Sequence, residues 1–230
     1  ATAKGHTIGV RIDIDNQEQL SAENLRQHDV AIELTRPETA YDNISRCLDA
    51  GLPVVSGTTG WTGRLDELAE RCRQENRSFL YASNFSLGVN ILFYLNRHLA
   101  AVMDRQEQYD VRIKEIHHIQ KLDAPSGTAL SLTEDILGGI RRKKGWTLHN
   151  TNTSTDAAIN NSGPESIQIE AIRAGTVAGV HEITYESEYD SLSIRHAAKD
   201  RRGFANGAVL AAEFIRDKKG FFTMKEVLNL

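Results

Sequence analysis

Cysteine is scarce in this chain: Cys47 and Cys72 are the only two among 230 residues, and neither belongs to a CxxC pair or shares a metal spacing with a histidine. That excludes a disulfide framework. Each falls at an apolar position of a helix-like segment, which predicts buried thiols in a reducing compartment. Long apolar runs are lacking too, since nothing approaches the ~18 uninterrupted residues of a membrane span. The opening ATAKGHTIGV has no charged-then-apolar layout of a secretion signal, so a cytoplasmic protein is expected. Nor is there an excess of positive charge. A formal net charge of -4 and a pI of about 6.1 give no reason to hold a polyanion. The one basic run, Arg141, Arg142, Lys143 and Lys144, reads as a solvated loop or helix end, and neither nucleic acid nor membrane is expected as a partner. No internal repeat is visible, and the composition is that of an ordinary globular protein.

What is present alternates. HTIGVRIDID places Ile8, Val10, Ile12 and Ile14 at period two; DVAIELT, PVVSGTT and RSFLYASNF are further short strand-like runs. Between them lie helical patterns over residues 37–50, with Ala40, Ile44, Cys47 and Leu48 on one face and Gly51 as the stop, and over residues 64–75. Strand, helix, strand in repetition predicts a parallel sheet covered by helices. Residues 88–103 read as a longer helix capped by Ser86. YDVRIKEIHH then alternates, residues 126–140 read as a helix, and SIQIEAIRAG, GVHEITYES and DSLSIRHAA read as three antiparallel strands. Residues 149–163 are too polar to pack and are expected to form a mobile loop; residues 204–217 close as a helix. The expected architecture is therefore α/β: a parallel-sheet domain over residues 1–85, then an α+β domain over residues 86–203 with a mostly antiparallel sheet, the C-terminal helical segment (204–230) packing back on the first. Ligands of open parallel sheets lie beyond the carboxyl ends of the strands, where ELTRPE, VSGTTGW and YASNFS stand, so the cleft between the domains is the expected site.

The chemistry concentrates in KEIHHIQKLDAPSGTALSLTEDIL. On a strand His117 and His118 point to opposite faces, so they divide roles. Asp123, Ala124 and Pro125 make an extended turn, and Ser126, Gly127 and Thr128 supply the first amides of the next helix, a place for an anion. Lys121 adds a positive charge and a proton. The set fits a small carboxylate or phosphate substrate with acid and base groups beside it; a plain helix cap and a structural histidine pair are the alternative reading. No metal is expected, because no third ligand stands near in sequence, distant His181 and His196 excepted. SGTTGW lacks the lysine of a Walker motif, but a short loop lying on a dinucleotide is compatible with it. Asp13 is placed either to accept hydrogen bonds from an adenosine ribose or simply to make a turn.

Taken together, LTRPE, VSGTTGW, ASNFSLGVN, EIHHIQKLDAPSGTAL, DRRGFANGAVLAAEFI and the ending GFFTMKEVLNL, in that order over nearly the whole chain, resemble the dihydrodipicolinate reductase family. The resemblance implies a Rossmann-like dinucleotide domain, a substrate domain with an open mixed sheet, and a homotetramer. It implies that His117 is the proton donor or acceptor and Lys121 the proton-donating lysine. It implies that His118, Ser126, Gly127, Thr128 and Arg201 contact a cyclic dicarboxylate substrate. For NADH or NADPH it implies Asp13 at the ribose, Gly57, Thr58 and Thr59 under the nicotinamide, and Ala82, Ser83, Asn84 and Phe85 in a second loop. Ile14 after Asp13 offers nothing to a 2′-phosphate, which leans the expectation towards NADH. The family opens with a strand and a glycine loop, whereas this chain opens on what resembles the end of the first helix, as if roughly twenty residues were absent. Two other readings stay open: another two-domain NAD(P)-dependent amino or imino acid dehydrogenase, and a non-catalytic dicarboxylate-binding module.

Overall fold

A computed structural model describes residues 1–150 and 163–230. Its elements in chain order are α1 (Ala22–Leu25), β1 (Ala31–Glu33), α2 (Pro37–Ala50), β2 (Val54–Ser56), α3 (Leu65–Gln74), β3 (Ser78–Tyr81), α4 (Leu87–Met103), β4 (Asp110–His117), α5 (Gly127–Gly139), β5 (Gly145–Asn150), β6 (Ser166–Arg173), β7 (Val180–Glu186), β8 (Ser191–Ala197), α6 (Arg202–Ile215), β9 (Gly220–Phe222) and α7 (Met224–Leu228). They form two compact units, Ala1–Leu87 with Arg202–Leu230, and Gly88–Arg201.

The first unit is built on an all-parallel sheet of order β1-β2-β3-β9. Alternation sends neighbouring residues of each strand to opposite faces. Val54 and Phe79 meet Ala40, Ile44, Leu48, Leu68 and Cys72 of α2 and α3 on one side. Val55 and Leu80 meet Ala208, Ala211 and Ile215 of α6 on the other. Both faces are covered, which is why these strands read as continuous apolar runs. Each fully buried side chain such as Leu48 or Phe79 contributes about 1.5–3 kcal/mol relative to its exposed state. Helix α2 begins with Pro37, whose fixed φ suits the first turn, and ends at Gly51, whose φ of +79° closes the cap. Both cysteines are buried in this unit; burial, and for Cys47 also the charge of Glu33, pushes the thiols up to about 12 (Cys47) and about 11 (Cys72), so neither is primed to react.

The second unit is a five-stranded mixed sheet of order β5-β6-β4-β7-β8, in which β4 pairs parallel with β6 and antiparallel with β7. Helices α4 and α5 bury one face through Leu92, Ala100, Leu132 and Ile136 against Ile113, Ile167, Ile169 and Ile183.

Several expectations are corrected. Residues 6–13 form no strand despite their alternation. Ile8 and Ile14 are exposed, the Val10 amide donates to His28 Nε2 at 3.3 Å, and a strand needs a ladder partner that alternation cannot supply. The sheet of the second unit is half parallel, because β4 lies between β6 and β7, which do not form a hairpin. The helix expected over residues 204–217 is α6, but the C-terminal segment to 230 does not continue as helix throughout. Gly220 then takes a φ of +123°, and β9 joins the sheet beside β3. Residues 149 and 150 end strand β5 rather than opening a loop, and 151–162 lie outside the described residues. The basic run is not simply solvated: Lys143 is buried, donating to the carbonyls of Pro164 and Ser166, and Arg142 to those of Met103, Asp104 and Tyr109. Lys143 also forms an ion pair with Asp110, so its charge has a counter-charge as well as backbone acceptors.

Candidate active site

Strand β4 carries the centre of the second unit. Period two puts Ile113, Glu115 and His117 on its helix-facing side, so the row passes from core to carboxylate to imidazole as the strand reaches its carboxyl end. Register completes the cluster, because Glu115 is opposite His181 of β7, His181 is opposite His196 of β8, and His117 is opposite Arg173 of β6. Glu115 has no exposed surface. Its Oε2 lies 2.7 Å from His117 Nδ1, close but not aligned as a hydrogen bond, while Oε1 accepts from Arg173 Nη2 and from the Ser126 amide, each at 3.0 Å. Burial alone would raise the Glu115 carboxyl; the contacts with His117, Ser126 and Arg173 outweigh it and hold it at about 2. His181 packs edge-on to His117, ring centres 5.1 Å apart, and burial, assisted by His117, pushes it down to about 3, which leaves it neutral.

Past the strand the chain turns through the order of charges read in the sequence only as a string. Lys121 Nζ holds both oxygens of Asp123, at 2.7 and 2.8 Å, and this contact outweighs partial burial to keep the Asp123 carboxyl below its usual range. Arg173 donates to the carbonyls of Lys121 and Asp123, tying the segment to β6. Ser126 caps α5: its Oγ accepts from the Ala129 amide and meets His181 Nε2 at 3.1 Å. Its own amide is committed to Glu115, so of the three amides expected to face an anion that of Ser126 already has a partner within the protein. A β-carbon on Gly127 would meet nothing within 4 Å, so the approach is open. His118 follows the strand and is half-buried, its Nδ1 without a hydrogen-bond partner. Arg201 is exposed in the turn between β8 and α6, with no contact to this cluster among the described residues. The donor atoms of Glu115, His117 and His181 lie within 4.8 Å of one another, as a metal would need, but the Arg173 guanidinium already neutralises the carboxylate.

In the first unit the carboxyl ends of β1, β2 and β3 bring residues 33–35, 57–60 and 82–85 together. Buried Glu33 accepts from the hydroxyls of Ser56, Thr58 and Thr35 and from the Thr35 amide. Trp61 Nε1 donates to the Thr58 carbonyl at 2.6 Å. Thr58 is therefore turned inward as a brace, leaving Thr59 exposed. A β-carbon on Gly57 would stand 2.6 Å from Leu34 Cδ2 and 2.7 Å from Phe85 Cε2, so glycine is what lets the second loop close over the first. Ala82 and Phe85 are buried, Ser83 is exposed, and the Asn84 side chain accepts from the Ser86 amide. Asp13 does not end a strand. It caps a 3-10 turn, Ile14–Gln19, and its hydrogen bonds, to the Ile14 amide and from its own amide to Asn16, are local.

Glu115, Arg173 and Glu33 were not singled out in the sequence. Glu115 had a signal, an acid two residues before a histidine on an alternating strand. Arg173 depends on register across β4 and β6, which no local pattern carries.

Family models described as "Dihydrodipicolinate reductase, N-terminus" and "Dihydrodipicolinate reductase, C-terminus" match residues 2–85 and 88–228. The 4-hydroxy-tetrahydrodipicolinate reductase of Christiangramia forsetii is 48% identical over 201 residues, covering 87% of this chain and 80% of that protein. That of Neisseria gonorrhoeae is 34% identical over 227 residues, 98% and 81% of the two chains. A solved structure of dipicolinate-bound dihydrodipicolinate reductase from Paenisporosarcina sp. TG-14 superposes with a TM-score of 0.73 at 25% identity, covering 94% of this chain and 81% of the other. An amine dehydrogenase from Mycobacterium smegmatis, with a TM-score of 0.50 at 12% identity over 95% of this chain and 80% of that one, shares the fold alone.

Proposed function

The chain belongs to the dihydrodipicolinate reductase family, and we propose on that premise that it reduces 4-hydroxy-tetrahydrodipicolinate to tetrahydrodipicolinate, a step of lysine and diaminopimelate biosynthesis, with hydride supplied by a bound nicotinamide dinucleotide. The observation that carries the site assignment is the open space at Gly127, the first residue of α5, in the same chain segment as Lys121 and His117. A planar dicarboxylate suits that arrangement. One carboxylate accepts from the helix-start amides, Lys121 supplies positive charge and the proton that completes reduction, and His117 acts as proton donor or acceptor with His118 as a substrate contact. Arg201 is the more remote substrate contact in this reading.

The dinucleotide falls to the first unit. What supports this is that Gly57 lets the loops at the ends of β2 and β3 close together, with Thr59 and Ser83 exposed at the carboxyl edge of a parallel sheet. Gly57, Thr58 and Thr59 lie under the nicotinamide in this assignment, with Ala82, Ser83, Asn84 and Phe85 as the second loop. Asp13 serves the ribose, and its neighbour Ile14 favours NADH over NADPH.

The family's homotetramer is proposed on the face of the second unit's sheet turned away from α4 and α5. That face presents Arg112, Lys114, Gln168, Glu170 and Glu182, with ion pairs Lys114 to Glu170 at 3.3 Å and Arg195 to Glu182 at 3.4 Å. No helix of the described residues is long and apolar enough to cross a membrane, and a cytoplasmic location suits a biosynthetic reductase. The test is oxidation of NADH, then of NADPH, by the chain with substrate generated from pyruvate and aspartate semialdehyde. Turnover supports the reading. A folded sample that binds dipicolinate but oxidises neither cofactor would turn it into a dicarboxylate-binding module.

A further inference from the structure

Three features of the active site converge on one buried side chain to which the reaction itself assigns nothing. Glu115 Oε2 faces His117 Nδ1 at 2.7 Å, and Glu115 Oε1 takes both the Ser126 amide, in the turn that starts α5, and Arg173. Arg173 in turn donates to the carbonyls of Lys121 and Asp123. Among the described residues of the cluster nothing else carries a negative charge beside the imidazole, because His181 is neutral and the Asp123 carboxylate is held by Lys121. We infer that Glu115 is the positioning residue of this site: its carboxylate fixes the neutral His117 ring with the proton on Nδ1, and through Arg173 it sets the course of the Lys121 segment.

The physical reasons are separable. The contact is not aligned as a hydrogen bond, but a carboxylate only accepts and would repel a lone pair 2.7 Å away, so that ring nitrogen carries the hydrogen whenever the ring is neutral. The other nitrogen, Nε2, is then the one with a lone pair. It points towards Gly179, where a β-carbon would stand only 3.2 Å away, so the absence of a side chain there leaves room beside it. Arg173, with its side chain only 8% exposed, needs a counter-charge, and Glu115 supplies it. One ionised group thus orients the imidazole, engages the residue that caps the helix carrying the anion site, and anchors the arginine that holds the lysine loop.

The assignment rests on the reductase reading for its kinetic arm and not for its spectroscopic one. ¹⁵N NMR of the histidine-labelled protein, at a pH where His117 is neutral, is expected to show the Nδ1-protonated form in the wild type. Glu115→Gln is expected to shift that population to the Nε2-protonated or a mixed form. It should lower kcat by about 10²-fold while NADH affinity stays within about twofold. An Nε2-protonated wild-type ring overturns the inference, and so does a Glu115→Gln protein whose tautomer is unchanged, even with reduced turnover, since that loss would be merely structural. If Glu115→Gln fails to fold, the wild-type tautomer decides alone. If the wild type turns over no substrate, the reductase reading fails while the tautomer still tests the role of Glu115.

Discussion

A β-carbon placed on Gly207 of α6 would stand 1.8 Å from the carbonyl oxygen of Phe85 and 2.8 Å from its carbonyl carbon. The helix therefore lies directly on the backbone of the loop assigned to the cofactor, and the obstacle is main chain, which cannot swing aside as a side chain can. Gly207→Ala is expected to cost about 1–3 kcal/mol of stability, through overpacking, despite the better helix propensity of alanine. It should also weaken NADH binding by displacing residues 82–85. Urea denaturation and fluorescence titration check both; an alanine protein as stable as the wild type would mean that α6 can lift away freely.

How much of this was legible in the sequence follows from what each feature depends on. The buried face of α2 is local, and the sequence pattern names the same four residues that the structure buries, Ala40, Ile44, Cys47 and Leu48. The cap of α5 at Ser126 is equally local. Strand pairing is not. The period-two run at Ile8 to Ile14 stays unpaired, and β9, only three residues long, is a strand solely because β3 stands beside it. The same division runs through the active site. His117, Lys121 and Gly127 stand in one contiguous motif, but Arg173 and His181 reach Glu115 only by register across β4. The commitment of the Ser126 amide to Glu115 is likewise a tertiary fact, which the helix-start pattern could not carry.

Lys121 separates activity from stability. Its ion pair with Asp123 joins a side chain 22% exposed to one 59% exposed, and such partly solvated pairs contribute at most about 1 kcal/mol. As a proton donor the same ammonium is worth about 10²–10⁴ in rate. Lys121→Ala is accordingly expected to lose at least about 10²-fold in kcat with an unfolding midpoint close to that of the wild type. Retention of wild-type turnover would remove Lys121 from the mechanism.

Gly127 offers the complementary test on binding. Apart from its chain neighbours and its own helix backbone, no atom of the described residues lies within 4 Å of where its β-carbon would stand, so a larger residue has space in the free protein and an incoming anion is crowded. Gly127→Val should weaken dipicolinate binding by about tenfold or more, equal to about 1.4 kcal/mol, with little change in stability. Isothermal titration calorimetry reads the affinity. Unchanged affinity would place the carboxylate elsewhere than the start of α5.

Glu115 ties the site to acid stability. Its ordinary value of 4.5 is lowered to about 2 in the folded chain, so the folded state binds its proton less readily than the unfolded one. The ionised carboxylate thus contributes stability that is fully present above about pH 4.5 and is lost as the pH falls through about 2. The shift corresponds to roughly 3 kcal/mol for this fully buried group. Glutamine cannot titrate, so the stability of Glu115→Gln should fall less steeply than that of the wild type across that window, and the gap between the two proteins should narrow towards pH 2. Urea unfolding at stepped pH measures it. Parallel curves from pH 4.5 to 2 would show that His117, Ser126 and Arg173 do not hold the carboxylate ionised, and the positioning role of Glu115 would lose its electrostatic basis.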